Sequence, residues 1–453
     1  MKCAGVLIAV VVVFTQSVLA QEPPDPRRAA TQQFLFYEAV NLASVDSTRA
    51  RLDIFYRIDT DFFVPVRNTD ASFTSDFRRR GEILIELIDS LGVSQARDIH
   101  RLDLGAGSSE PSVDTKQWYQ GVASFTVPPG LYKIVFDADD LESERRVLNR
   151  DRTIRARRFG ATELEASTPL FIYSSDNLSS ARDLTAQNVG GNLMFGRKSA
   201  LFFQLATPEP SDSSLWIEYT FSTSKSRFND AEPVLTDTVT NVISFESLTP
   251  EIRKWPDSVG YELVPASHSR IYNIVVPLAI DALPLRPYNL EVRVRSGSAE
   301  TELSTAFQMV WPDMPFSMRD VEYALDALKI ITREEQLDSL KRGTPEERRN
   351  KLEGFWKEKD KTPATAYNEV MTEFYRRIDY ATKNFGTLRI PDGFKSDRGR
   401  IFVLYGPPTK IDRTLDPSSG FRESWSYEKL NKKFVFLDKS KSGAYTLVST
   451  QSL

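Results

Sequence analysis

A β-rich, multidomain fold ending in an α+β module is the class this sequence predicts, and three observations carry it. The chain has 453 residues, more than one ordinary core accommodates. Strand-like alternation fills its first two thirds, and its 11% aromatic content and 25 prolines suit sheets joined by turns. Past Trp311-Pro312 the apolar spacing becomes helical and then returns to short strands.

The N-terminus reads as an export signal. Lys2 gives a positive start, Val6 to Phe14 an unbroken apolar run, and Val18-Leu19-Ala20 a small-residue cleavage site, so residues 1–20 are expected to leave and Gln21 to begin the mature chain. The run is shorter than the ~20 residues a membrane span needs. Cys3 is the one cysteine and lies before that run, so the mature chain is expected to hold no thiol, which excludes disulfides, cysteine nucleophiles and cysteine-ligated metals. No later segment reads as a transmembrane span.

The strands follow. "RLDIFYRID" (51–59), "GEILIELID" (81–89) and "WYQGVASFTV" (118–127) carry β-branched and aromatic runs. In "VPPGLYKIVFDADD" a Pro-Pro-Gly turn precedes Tyr132, Ile134 and Phe136 on one face, and "RPYNLEVRVRS" repeats this with Tyr288, Leu290, Val292 and Val294. Both resemble the penultimate hairpin of an immunoglobulin-like sandwich. Two immunoglobulin-like β-sandwich domains are therefore expected, at 31–160 and 168–311, separated by the basic "RTIRARRFG".

The third domain is expected at 313–453. Val321, Leu325, Leu328 and Ile331 have helical spacing. Thr344-Pro345 with Glu347 is a capping box, and Thr362-Pro363 reads as a second helix start. That helix carries the apolar stripe Tyr367, Met371, Phe374, Ile378, Ala381 and Phe385, closed by Gly386. "RIFVLYG", "ESWSYEKL", "KKFVFLDK" and "GAYTLVS" then read as about four strands of an antiparallel meander.

Lys plus Arg (58) nearly balances Asp plus Glu (62), so nothing advertises a nucleic-acid partner. No phosphate-binding glycine motif is present, and "LGAGSSE" (104–110) reads as a loop. His100 and His268 lack metal-ligand or triad spacing. Asp137, Asp139 and Asp140 lack the glycine and distal glutamate of a calcium loop, so they read as a solvated turn. No cofactor is expected. Paired carboxylates for glycoside hydrolysis remain open, because their spacing is spatial.

The distinctive stretch is "PDGFKSDRGRIFVLYGPP" (391–408). Read structurally, Asp397 accepts N–H groups in a turn, Arg398 or Arg400 pairs with a carboxylate, and Phe394 packs on the helix stripe, while Gly406-Pro407-Pro408 ends a strand. Read functionally, Lys395, Arg398 and Arg400 form a cationic rim for a partner's carboxylates, anionic glycans or lipid headgroups. Catalysis by Asp397 with an arginine is the third reading.

With the preceding "FYRRIDYATKNFG" and the following Trp-x-Tyr, this stretch resembles the GWxTD domain of exported bacterial proteins. Gly393, Phe394, Lys395, Ser396 and Asp397 stand at the motif, with phenylalanine for tryptophan and serine for threonine; Arg398, Gly399, Arg400, Tyr405, Gly406, Pro407 and Pro408 agree with the pattern. The resemblance covers about the last quarter of the chain and implies fold and compartment, with no established activity. The expected function is an exported, non-enzymatic scaffold, periplasmic or peripheral to the outer membrane, whose C-terminal domain docks another envelope protein or polymer. A peptidoglycan- or carbohydrate-directed hydrolase and an outer-membrane assembly factor are the alternatives.

Overall fold

The computed structural model describes residues 34–70, 75–106, 117–160, 162–174, 182–208, 215–223, 231–239, 243–266, 270–416 and 420–453. The expected signal segment, His268 and most of "LGAGSSE" lie outside them.

The first module is built from β1 (Leu35–Leu42), β2 (Ala50–Asp59), β3 (Val66–Arg67), β4 (Phe77–Asp89), β5 (Ser94–Ala106), β6 (Trp118–Val127), β7 (Gly130–Asp140) and β8 (Arg146–Ala156). They form two antiparallel sheets, β1-β2-β6 and β5-β4-β7-β8, with short β3 also on β4. Alternate residues of the two sheets, among them Leu52, Ile54, Tyr56, Ile83, Ile85, Tyr132, Ile134 and Phe136, face each other as one core. Tyr132 Oη donates back to the Pro128 carbonyl (2.8 Å).

The second module holds β9 (Glu165–Ala166), β10 (Leu170–Tyr173), β11 (Asp183–Thr185), β12 (Leu193–Met194), β13 (Ser199–Ala206), β14 (Leu215–Thr223), β15 (Pro233–Val239), β16 (Ile243–Phe245), β17 (Leu248–Trp255), β18 (Ser258–Pro265), β19 (Ile271–Leu278), β20 (Pro287–Ser296) and β21 (Ala299–Val310). One sheet runs β10-β13-β19-β16, with β9 on β13; the other runs β12-β21-β20-β14-β15, with β12 parallel to β21. Tyr288 Oη donates to the Pro284 carbonyl (3.0 Å), repeating the contact of Tyr132. The hairpin β17–β18, joined by β11, makes a third, smaller sheet.

That small sheet joins the two modules. The outer face of β1-β2-β6 contributes Val40, Leu42, Phe55 and Val122 to a core shared with Tyr261 of β18, Phe202 of β13 and Val275 of β19. Within it Asp53, wholly buried, accepts from Tyr261 Oη (2.7 Å) and Ser124 Oγ (2.5 Å) and pairs with Arg51 (2.8 Å). Strand β2 is accordingly buried on both faces.

The third module comprises α1 (Val321–Ala327), α2 (Glu334–Lys341), α3 (Pro345–Lys357), α4 (Glu369–Phe385), α5 (Asp397–Tyr405) and the meander β22 (Lys410–Asp416), β23 (Gly420–Tyr427), β24 (Lys432–Asp438) and β25 (Thr446–Gln451), paired in that order. The Thr344–Glu347 capping box forms at α3. Tyr367 fits between Phe195 and Trp311 of the second module (ring centroids 5.6 and 5.4 Å apart), directly over Gly196. A side chain at Gly196 would occupy the Tyr367 ring, and its φ of +72° favours glycine besides.

Several expectations are corrected. "RIFVLYG" is not the first strand of the meander; it lies in helix α5, and Lys410–Asp416 takes that place. Three consecutive buried residues, Ile401, Phe402 and Val403, suit a strand buried on both faces, but they equally suit a helix held between α4 and a sheet. Gly406-Pro407-Pro408 therefore ends a helix. Thr362-Pro363 does not start α4: Asn368 is its N-cap, accepting from Met371 N (2.8 Å) while donating to the Trp356 carbonyl (2.9 Å). Tyr367 thus lies outside the stripe it was expected to begin. The spacing through Ile331 is interrupted by a 3-10 turn at Leu328–Ile330, which leaves Ile331 exposed. The basic separator is largely β8 itself. Asp137 and Asp140 are buried within β7 rather than solvated: Asp137 pairs with Arg146 (2.5 Å), and Asp140 accepts from Val64 N (3.1 Å). Finally, His100 bridges Asp98 (2.9 Å) and the Tyr56 hydroxyl.

Candidate functional site

The motif sits where α4, a 3-10 turn (Gly393–Lys395) and α5 converge under the meander. Its glycines are spacers. A Cβ on Gly393 would strike the Ala381 carbonyl and the backbone of Phe385–Gly386, and one on Gly399 would strike the Gly393 carbonyl and Phe394 Cα. Turn, helix and helix therefore touch backbone to backbone. Between them Phe394, wholly buried, packs edge-on against Tyr323 of α1 (5.7 Å).

The polar residues follow from this packing. Ser396 is the N-cap of α5, accepting from Gly399 N (3.1 Å). Asp397 is then the first helical residue, not part of a turn before a strand. Its charge lies at the positive end of the helix, and its Oδ2 accepts from Leu447 N of β25 (2.7 Å), tying helix to sheet. Lys395 bridges Asp326 (2.8 Å) and Asp392 (2.7 Å), whose hydrogen bonds push its pKa up.

Arg398 lies beneath the sheet, 4.0 Å from the centre of the Tyr445 ring and 5.1 Å from that of Phe385. Desolvation lowers its pKa, opposed by Glu423. Glu423 (2% exposed) faces Arg398 at 3.6 Å and Arg413 at 3.0 Å and accepts from Trp425 Nε1 (2.6 Å). Glu423 is the important residue that sequence reasoning missed. Its inward phase on β23, shared with Trp425 and Tyr427, was the available signal.

At the far end Tyr405 stacks on Phe434 (5.3 Å). Gly406, at φ +77°, closes α5: its N–H donates to the Phe402 carbonyl (2.7 Å), and its own carbonyl accepts from Tyr427 Oη (2.8 Å). Pro407 is exposed and Pro408 half-buried. The structure thus brings Gly393 through Arg398 together as an internal joint and does not gather Lys395, Arg398 and Arg400 into one rim. Arg400 and Leu404, one turn apart, remain exposed on the outer face of α5. No group of three or more His, Cys, Asp or Glu that could hold a metal is found among the described residues. Nor is any helix there long and apolar enough to cross a membrane.

Among known protein families, the model of the GWxTD domain matches residues 295–452. No curated protein matches the chain. Among solved structures, the C-terminal domain of the AgI/II polypeptide BspA of Streptococcus agalactiae aligns at 7% identity over 61% of this chain and 100% of its own, with a TM-score of 0.14. A structure of manganese lipoxygenase of Gaeumannomyces graminis with part of a zonadhesin of Komagataella pastoris aligns at 10% identity over 61% of this chain and 94% of its own, with a TM-score of 0.16. At such scores neither likeness bears on fold or function.

Proposed function

From the premise that this chain carries a GWxTD domain at residues 295–452, we propose that it is an exported, non-enzymatic scaffold of the cell envelope whose C-terminal domain docks a partner. The observation that carries this reading is the engagement of the motif's polar groups within the chain. Ser396 and Asp397 hold a helix start, Lys395 two aspartates and Arg398 a buried glutamate, so their chemistry is spent on shape. The apolar run and cleavage site at the N-terminus support export, to the periplasm or the periphery of the outer membrane.

The two sandwiches are read as immunoglobulin-like. Their strand orders support this, as do the two tyrosines, Tyr132 and Tyr288, that open the penultimate strands and bond back to a carbonyl four residues upstream. The shared core ties the first module to the second, and Tyr367 ties the second to the third, which supports the reading as a scaffold.

The outer face of α5, with Arg400 and Leu404 exposed a turn apart, is the docking surface this reading assigns to the C-terminal domain. Crosslinking in intact cells, followed by capture of the chain, tests this. Arg400→Ala and Leu404→Asp should lose the crosslinked partner with an unchanged melting temperature. Retention of every partner by both variants, with accumulation of an uncleaved envelope polymer when the chain is deleted, would replace the scaffold with a hydrolase.

A further inference from the structure

Strand β8 ends its sheet: β7 pairs with one side, and no strand pairs with the other among the described residues. Its backbone therefore offers open N–H and C=O groups on either side of a bulge at Arg150–Asp151, where Asn149 Oδ1 takes the Asp151 N–H (3.0 Å). The same stretch is the most basic of a chain whose net charge is −4, with seven arginines against one aspartate between 145 and 158.

Four of those arginines are occupied by their own chain. Arg145 donates to the Asp61 and Phe62 carbonyls, Arg146 pairs with Asp137, Arg152 lies over the Tyr37 ring, and Arg157 donates to the Ala166 carbonyl. Arg150, Arg155 and Arg158 are exposed, and no acceptor or carboxylate of the described residues engages them. Exposed Leu131 and Leu148 share this surface, with Leu131 opposite Arg155.

We propose that the β8 edge is a docking surface for an acidic, extended segment of a partner protein, which adds to the sheet as a further strand. The open backbone requires a partner with peptide groups of its own. The three unengaged guanidiniums select carboxylates in it and repel a second β8, which excludes pairing between copies of this chain. The exposed leucines fit alternating apolar side chains and have no use for a polyanionic glycan. This surface lies on the first module, and the inference does not depend on docking through α5.

A short peptide alternating glutamate with valine tests it, with its lysine–valine counterpart and phosphatidylglycerol vesicles as comparisons. The glutamate peptide should bind the full chain and slow amide exchange within Arg146–Arg155. Combined substitution of Arg150, Arg155 and Arg158 by alanine should weaken binding about tenfold, whereas Arg400→Ala should leave it unchanged. Failure to bind would overturn the proposal, as would equal binding of the lysine peptide. Vesicle binding with the same arginine dependence, but no slowing of β8 exchange by the peptide, would assign the patch to a membrane surface instead.

Discussion

Glu423 and Gly399 show how single residues hold the C-terminal domain in shape. The Glu423 carboxylate is nearly inaccessible and faces two guanidiniums that differ in exposure, 13% of the side chain for Arg398 and 72% for Arg413. Removing the buried charge leaves Arg398 without its counter-ion, so Glu423→Gln should cost about 3 kcal/mol. Arg413→Ala removes a solvated partner and should cost less than about 1 kcal/mol. Chemical denaturation of the full chain compares them, and equal losses would mean that Arg398 draws its support from elsewhere. At Gly399 two effects oppose each other. Alanine is the better helix former by ~1 kcal/mol, but its Cβ would meet the backbone of the preceding turn. The clash involves main chain on both sides and cannot relax by a rotamer change, so Gly399→Ala should destabilise by about 1–3 kcal/mol. A raised melting temperature would show that turn and helix separate easily.

Among the elements, α4 is the axis of the domain. Phe374, Tyr375, Ile378, Ala381 and Phe385 are buried along it, and Asp379 accepts the N–H groups of Phe316 (2.7 Å) and Ser317 (3.1 Å) from the segment that leads in from the second module. Phe374 packs on Trp356 (5.2 Å), so Phe374→Ala should cost about 3–5 kcal/mol through lost burial and an unfilled cavity. Exposed Arg376 should tolerate alanine within about 0.5 kcal/mol. The stripe of α4 is strong enough to read in sequence, whereas α5 is not, because nine residues with a short apolar run are ambiguous between helix and strand. What identifies α5 as a helix is Ser396 in the N-cap position, followed directly by Asp397 in the first turn. That signal was present, but the apolar run outweighed it.

At the scale of the molecule, the junction between the first two modules encloses ionisable groups. Glu38 of β1 is 8% exposed. Burial raises its pKa to about 7, against the opposing effects of the Gly191 N–H and of Arg152. Tyr261, beside Asp53, is pushed well above its ordinary range, chiefly by burial. Because the folded chain holds the Glu38 proton more tightly than the unfolded chain, this residue favours folding in acid. The contribution is complete below the ordinary carboxylate pKa and is lost as pH rises through about 7, a change on the order of 3 kcal/mol. From about pH 4 to about pH 8 the native chain should lose that amount of stability relative to Glu38→Gln, read from the melting curves of both. Parallel curves would place the Glu38 carboxylate in water.

What repeats along a single strand or helix was legible in the amino-acid order alone. The two tyrosine-led strands, the α4 stripe and the capping box of α3 each lie within one element or its cap, where periodicity and capping chemistry are written locally, while the motif at 391–408 is contiguous in sequence although it spans a 3-10 turn, α5 and the residues that end it. Tertiary structure decided what joins those elements. Phe55 and Val122 read only as the alternate residues of strands, yet they are core because β17–β18 covers them. Glu423 and Arg398 meet although they are 25 positions apart, and Gly393 is required by a carbonyl on another helix. Such pairs are set by which faces come together, and burial and charge pairing act through space rather than along the chain.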